Sequence, residues 1–337
     1  MIIDKNDLTG FIDTLLREYV VAAPVKTRNL VAFNQVNSGD EVLVDFYNSK
    51  IPPKHILFPH SEALFYYRKS LKGVEIEEPR LRADKTILFG LRPCDARSFI
   101  LLDKVFNAKE YKDVYYIQRR RNTITLGLAC NHPLNTCFCT SLGGSPYGKE
   151  GLDALFVDIG DKYVVEAASE RGVKILKKYP QARKPQEVDL KRREKASKRA
   201  EESVRSKVIL ENLKTKLNQM FDDSFWVEIC QKCIGCAICT YLCPTCHCFD
   251  IIDEATDPQG VRVRNWDSCM FPLFTHQASG HNPRSSLKER MRQKTMHKFN
   301  YFIQMYGVSG CVGCGRCIWN CPVNLDVREV IKSISPT

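Results

Sequence analysis

One cysteine spacing occurs twice in this chain, at Cys233-x2-Cys236-x2-Cys239-x3-Cys243-Pro244 and at Cys311-x2-Cys314-x2-Cys317-x3-Cys321-Pro322. Three thiols spaced by two residues curl one backbone loop around a cuboidal iron–sulfur cluster. The fourth, just before proline, reaches the cluster nucleated by the other copy. The repeat therefore predicts two [4Fe–4S] clusters with crossed ligation. Cys233, Cys236, Cys239 and Cys321 hold cluster 1; Cys311, Cys314, Cys317 and Cys243 hold cluster 2. Zinc is the competing occupant, but a tetrahedral ion needs only four thiolates and rarely takes three at this spacing followed by Cys-Pro. The small residues Gly235, Ala237, Gly313 and Gly315 let backbone N–H groups approach the sulfurs, which tunes a cluster's potential. The chemistry implied is one-electron transfer.

Eight of the sixteen cysteines lie outside this repeat. Cys94, Cys130, Cys137 and Cys139 form a second constellation on loops after strand-like runs. A third four-iron cluster, a zinc site of four thiolates and plain buried thiols are its three readings. Cys246, Cys248 and Cys269 sit beside or shortly after the first motif. They supply metal ligands to one more cluster, completed by Cys230, by His247 or by a cysteine of another domain, or else they pack against the first cluster. Cys230 alone reads as structural. Trp226 and Trp319 flank the motifs, and shielding the clusters from water is the role expected of them.

The elements that must position these thiols follow from periodicity. An opening helix carries Leu8, Phe11, Ile12, Leu15, Leu16 and Tyr19 at helical spacing. Strand-like runs follow at Leu30–Phe33, Glu41–Phe46, Ile56–Phe58, Thr86–Leu91, Val114–Ile117 and Thr123–Ala129, then a hairpin of Ala154–Ile159 and Tyr163–Ala167 about Gly160-Asp161. Thr86–Leu91 runs through Arg92-Pro93-Cys94-Asp95 into a helix at Ala96–Phe106, a turn suited to a cofactor or anion. The loop from Gly143 to Gly148 lacks a phosphate-binding spacing and reads as a turn. Residues 181–220 hold twelve Lys/Arg against six Asp/Glu, with Val204, Val208, Leu213, Leu217 and Met220 regularly spaced, and so read as an exposed helix or helix pair. Between the cysteine motifs, 66 residues intervene; Phe249–Asp253 and Val261–Trp266 look like a hairpin, and Pro283–Tyr301 like a basic helix. The fold class expected is α+β. It comprises an N-terminal α/β domain at 1–180, a basic helical connector at 181–220 and a ferredoxin-like dicluster domain at 221–337.

At 337 residues the chain has room for two such domains. Its cysteines fall in ligand spacings, and Met1–Tyr19 is a charged amphipathic stretch rather than a signal peptide, so a reducing, cytoplasmic setting is expected. No apolar run approaches a membrane span. The formal charge of +11 suits docking to acidic redox partners; no helix-turn-helix, finger or stacking signature supports nucleic acid. No Walker or Gly-x-Gly-x-x-Gly spacing is present for nucleotide, flavin or nicotinamide.

Taken together, residues 233–250, Arg264-Asn265-Trp266-Asp267-Ser268-Cys269, Gly280-His281-Asn282-Pro283-Arg284 and the 311–317 loop resemble one family. It is the iron–sulfur beta subunit of cytoplasmic sulfhydrogenases, closely similar to the corresponding iron–sulfur subunit of anaerobic sulfite reductase. Pro93-Cys94-Asp95 and Cys130…Cys137-Phe138-Cys139 match it as well; Cys230 and the basic 181–220 segment depart from it. The resemblance implies a subunit that relays electrons between a flavin-bearing, NAD(P)H-handling partner and a catalytic partner of hydrogenase, sulfite reductase or heterodisulfide reductase type. It also favours ligand roles for Cys94, Cys130, Cys137 and Cys139, and functional roles for Cys246, Cys248 and Cys269. The basic stretches Lys191–Arg199 and Arg284–Lys298 are the expected docking surfaces. Two other classes remain: a catalytic reductase with a substrate-facing cluster, and a nucleic-acid-binding protein whose clusters are structural.

Overall fold

A computed structural model describes residues 1–79 and 84–335. Its N-terminal half is built on a seven-stranded mixed sheet. The strands are β1 (Ile2–Asp4), β2 (Val20–Thr27), β3 (Leu30–Val36), β6 (Thr86–Leu91), β7 (Thr123–Leu128), β8 (Ala154–Asp158) and β9 (Lys162–Ala167), in the order β1-β9-β8-β7-β6-β2-β3. The central strands β2, β6, β7 and β8 run parallel, and the outer pairings are antiparallel. Both faces of a parallel sheet must be covered, which is why Thr86–Leu91 is an unbroken apolar run. Ile87 and Phe89 point to one core with Phe11, Ile12 and Leu15 of helix α1 (Leu8–Leu16). Leu88 and Leu91 point to the other, with Phe99 and Leu102 of α2 (Pro93–Phe106).

Three strand expectations fail. Val114–Ile117 opens a helix, α3 (Val114–Asn122), because Asp113 caps it by accepting the Tyr116 N–H at 2.8 Å. Glu41–Phe46 is a loop behind a 3-10 turn closed by a Ser38/Glu41 capping box, and Ile56 ends another 3-10 turn opened by Pro53. The hairpin across Gly160 is present as β8–β9.

A second sheet explains the long insertion between the cysteine motifs. Its strands are β4 (Ser61–Ser70), β5 (Gly73–Glu77), β10 (Phe249–Thr256) and β11 (Gln259–Trp266), ordered β10-β11-β4-β5 and wholly antiparallel. The expected 249–266 hairpin thus forms and pairs through β11 with β4, so each half of the chain supplies two strands. Arg264 of β11 is buried and ion-paired with both Glu62 and Asp113. Trp266 lies in the core against Phe58, whose carbonyl accepts its indole N–H at 3.1 Å.

After α4 (Glu170–Leu176), the 181–220 segment forms α5 (Glu187–Ser203) and α6 (Leu213–Gln219). The outer face of α5 is exposed. Val208, Leu213 and Leu217 instead enter a core with Trp226 of α7 (Phe225–Cys230) and Ile331 of α12 (Val327–Ile334). The remaining helices, α8 (Ile238–Tyr241), α9 (Leu287–Met296), α10 (Phe302–Tyr306) and α11 (Arg316–Trp319), surround the cysteines. Among the described residues no helix is long and apolar enough to cross a membrane.

Candidate metal centres

The two motifs fold alike. In each, the second and fourth residues after the first cysteine take left-handed backbone: Gly235 (φ 69°) and Ala237 (φ 62°), then Gly313 (φ 65°) and Gly315 (φ 72°). Each loop ends in a single helical turn, α8 or α11. The left-handed bends aim backbone donors inward, so Gly235 N–H reaches Cys233 Sγ and Gly313 N–H reaches Cys311 Sγ, both at 3.4 Å. Leu325 N–H donates to Cys321 Sγ at 3.2 Å.

Cys321 lines one cavity with Cys233, Cys236 and Cys239, and Cys317 of the second loop lines it too. Cys243 is buried within the electrostatic reach of Cys311, Cys314 and Cys317. Burial raises unligated Cys311 to about 12 and Cys317 well above its usual range. Left as thiols, these groups would be neutral.

Lysines that face them say otherwise. Lys294 and Lys298, read from sequence as parts of a basic docking surface, are only 8% and 9% exposed, and Arg290 beside them is buried too. Lys294 Nζ donates to Cys239 Sγ at 3.1 Å and Lys298 Nζ to Cys243 Sγ at 3.2 Å. Lys54, 2% exposed, donates to the Cys246 carbonyl at 2.6 Å and lies 4.1 Å over the Trp266 ring. Among the described residues none of the three has a carboxylate partner; they face sulfur, hydroxyl and carbonyl atoms. A buried ammonium requires a compensating anion. Thiolates bound to iron would supply it for Lys294 and Lys298, and on this count the residues fit iron–sulfur clusters.

Cys94, Cys130, Cys137 and Cys139 come together, as their sequence positions predict. Pro93 opens α2 and places Cys94 in its first turn; Cys130 follows β7; Cys139 begins a 3-10 turn. The four line one cavity, whose wall is completed by Gly313 and Cys314 of the second motif. Arg92 braces it by donating to the Ala129 and Tyr47 carbonyls at 2.7 and 3.1 Å. Burial raises all four thiols, Cys139 to about 11.

Contact between this set and the second motif runs through backbone and side chains. Phe138 N–H donates to the Gly313 carbonyl at 2.9 Å, and Cys137 Sγ lies 3.6 Å from the Cys314 carbonyl. A Cβ on Gly313 would stand 2.6 Å from Cys139 N, and one on Gly315 would stand 2.7 Å from Thr136 backbone atoms. The equivalent of Gly315 in the first motif is Ala237, whose methyl is buried with Cys269, Met270 and Met291.

Cys246, Cys248 and Cys269 line a further pocket with His247, His297 and Lys298, on the flank of Cys243. The Cys246 thiol donates to Cys243, which with Lys298 holds Cys243 well below the usual thiol range; Cys248 is likewise drawn to about 7 by Cys269. Burial lowers His247 to about 4, leaving a neutral imidazole. Cys230 stands apart, its thiol donating to the Val227 carbonyl at 3.3 Å. Trp226 is fully buried, whereas Trp319 is 52% exposed and does not shield in this chain alone. Sequence reasoning missed Lys54 and Arg316 as parts of the site. The signal for Arg316 was a bulky cation inside a ligand loop, between Cys314 and Cys317.

Paired cysteine loops of this spacing define an iron–sulfur electron-transfer protein. Comparison with known proteins agrees: the family description "4Fe-4S dicluster domain" matches residues 232–325. The chain is 31% identical over 317 residues to sulfhydrogenase 2 subunit beta of Pyrococcus furiosus, covering 93% of this chain and 92% of that one. It belongs to the sulfhydrogenase beta-subunit family. No solved structure matches it.

Proposed function

We propose that this chain is the electron-relaying subunit of a cytoplasmic hetero-oligomeric oxidoreductase. Its partners are one flavin-bearing, NAD(P)H-handling subunit plus one catalytic redox subunit of hydrogenase, sulfite reductase or heterodisulfide reductase type. In this reading Cys233, Cys236, Cys239 and Cys321 hold cluster 1, Cys311, Cys314, Cys317 and Cys243 hold cluster 2, and Cys94, Cys130, Cys137 and Cys139 hold cluster 3. When bound, each [4Fe–4S] cluster takes up and gives out electrons one at a time, within a range of potential set by its surroundings.

The observation that carries the reading is contiguity. Gly313 and Cys314 belong to the second motif and also wall the cavity of the N-terminal cysteines. That second motif in turn shares its crossed ligands with the first. The three ligand sets thus form one row from the N-terminal sheet to the C-terminal domain. At the far end of the row, Cys236 is the one exposed cysteine among the described residues, with Ile234 and Trp319 exposed from the two loops that hold its set. An exposed ligand is where electrons cross to another protein. The exposed lysines of α5, Lys191, Lys195 and Lys198, are the basic face assigned to partner docking.

The test is stepwise reduction of anaerobically purified protein followed by low-temperature EPR. Three clusters in a row give interacting signals that sharpen when Cys94→Ser removes one end. Spectra unchanged by Cys94→Ser contradict the third cluster. The flanking trio of Cys246, Cys248 and Cys269 would hold a fourth; iron near sixteen per chain assigns it, and iron near twelve leaves those thiols to packing, each on the basis of four irons per cluster.

A further inference from the structure

Helix α9 runs into a π-helical turn at His297–Tyr301, a rare geometry that recurs at functional sites. Across that junction Lys294 and Lys298, four residues apart, turn inward. Each ammonium meets a sulfur from a different ligand set. Lys294 Nζ is 3.1 Å from Cys239 Sγ and also lines the cavity of Cys233, Cys236 and Cys321. Lys298 Nζ is 3.2 Å from Cys243 Sγ, the crossed ligand of the other set, and is held by Thr245 Oγ1 and the Gly310 carbonyl, both at 3.0 Å. Long basic side chains normally keep their charge in water. These two are buried against sulfur instead, and a buried charge acts on its neighbours with little screening.

We infer that Lys294 and Lys298 are positioning residues that set the potentials of clusters 1 and 2 separately, one ammonium per cluster. The inference rests on the cluster reading above. Reduction adds one electron, and so one unit of negative charge, to a cluster and its thiolates. An ammonium hydrogen-bonded to one of those thiolates favours the reduced form and raises the potential. Each lysine hydrogen-bonds to a sulfur of one set only, so each centre has its own dominant cation, although Lys294 also faces Cys317 of the second set.

The test is EPR-monitored potentiometric titration of the full chain, purified anaerobically, as wild type, Lys294→Met and Lys298→Met. Cys236→Ser perturbs only the first set and so identifies its signal. Lys294→Met is expected to lower the potential of cluster 1 by at least the equivalent of about tenfold in its reduction equilibrium, about 59 mV for one electron. The cluster 2 couple shifts less, and Lys298→Met does the reverse. Lys294→Arg and Lys298→Arg keep the charge and stay nearer wild type. Unshifted couples, or both couples moving equally in either variant, overturn the inference. Should a methionine variant lose its cluster, the glutamine variant keeps a neutral donor to the sulfur and is titrated instead; an unshifted couple there overturns the inference equally. Iron and sulfide counted on the same wild-type samples separate the two failures. A missing dicluster complement contradicts the cluster reading, whereas a full complement with unshifted couples contradicts only the role of the lysines.

Discussion

Arg316 and Asp95, 221 residues apart in the chain, form a buried bidentate ion pair with N–O distances of 2.6 and 2.8 Å. Asp95 follows Cys94, and Arg316 lies between Cys314 and Cys317. Ser49 accepts from Arg316 Nε through its carbonyl at 2.8 Å and from Nη2 through its hydroxyl at 3.0 Å, and Asn48 Oδ1 accepts from Nη2 as well. Neither Arg316 nor Asp95 is more than 1% exposed. The pair bolts the second cysteine motif to the strand–loop–helix passage that presents Cys94.

Breaking that pair from one side leaves a buried charge alone. Arg316→Met is expected to destabilise the protein by about 3–5 kcal/mol. Arg316→Met combined with Asp95→Asn should cost less than the sum of the single changes, since the two side chains share one interaction. Anaerobic urea denaturation of the four proteins checks both expectations.

The two motifs differ at equivalent positions for a steric reason. Gly315 has φ 72° and its missing Cβ would collide with Thr136, while Ala237 adopts φ 62° and its methyl is buried in the cluster of Cys269, Met270 and Met291. Gly315→Ala should therefore cost at least about 1–3 kcal/mol, from strained backbone together with displacement of the Thr136 loop. Ala237→Gly should leave iron content unchanged. Thermal stability and iron analysis of the pair measure the contrast.

Cys94 and Cys230 separate ligand from bystander. Cys94→Ser should remove about four irons per chain, the complement of one cluster. Cys230→Ser should remove none, because its thiol bonds locally to Val227 outside every ligand set. Equal iron loss in both would contradict the assignment.

Docking through α5 predicts a salt-dependent association. Lys191→Glu, Lys195→Glu and Lys198→Glu together should slow assembly with the partner subunits, most strongly at low ionic strength. Co-purification and association rates across a salt series report this. Rates indifferent to charge reversal remove α5 from the interface.

Much of the site could be read from spacing alone. The repeat identified both cysteine loops, and the Thr86–Phe106 passage placed Cys94 on a turn before a helix, because these are local features. What escaped was set by distant contacts. No local pattern shows that β11 pairs with β4, an association fixed by Arg264 with Glu62 and by Trp266 against Phe58. Val114–Ile117 has strand-forming side chains, but the Asp113 cap and the tertiary setting override that preference. Lys294 and Lys298 read as surface charge, since lysine is seldom buried without a partner. Their partners are sulfurs contributed by another segment.

The most direct test of the account is iron and acid-labile sulfide per chain on anaerobically prepared protein. Three ligand sets predict about twelve irons and as many sulfides, or about sixteen if the Cys246, Cys248 and Cys269 pocket is loaded as well. About eight irons, unaffected by Cys94→Ser, would confine the clusters to the repeated motifs and contradict the row of three.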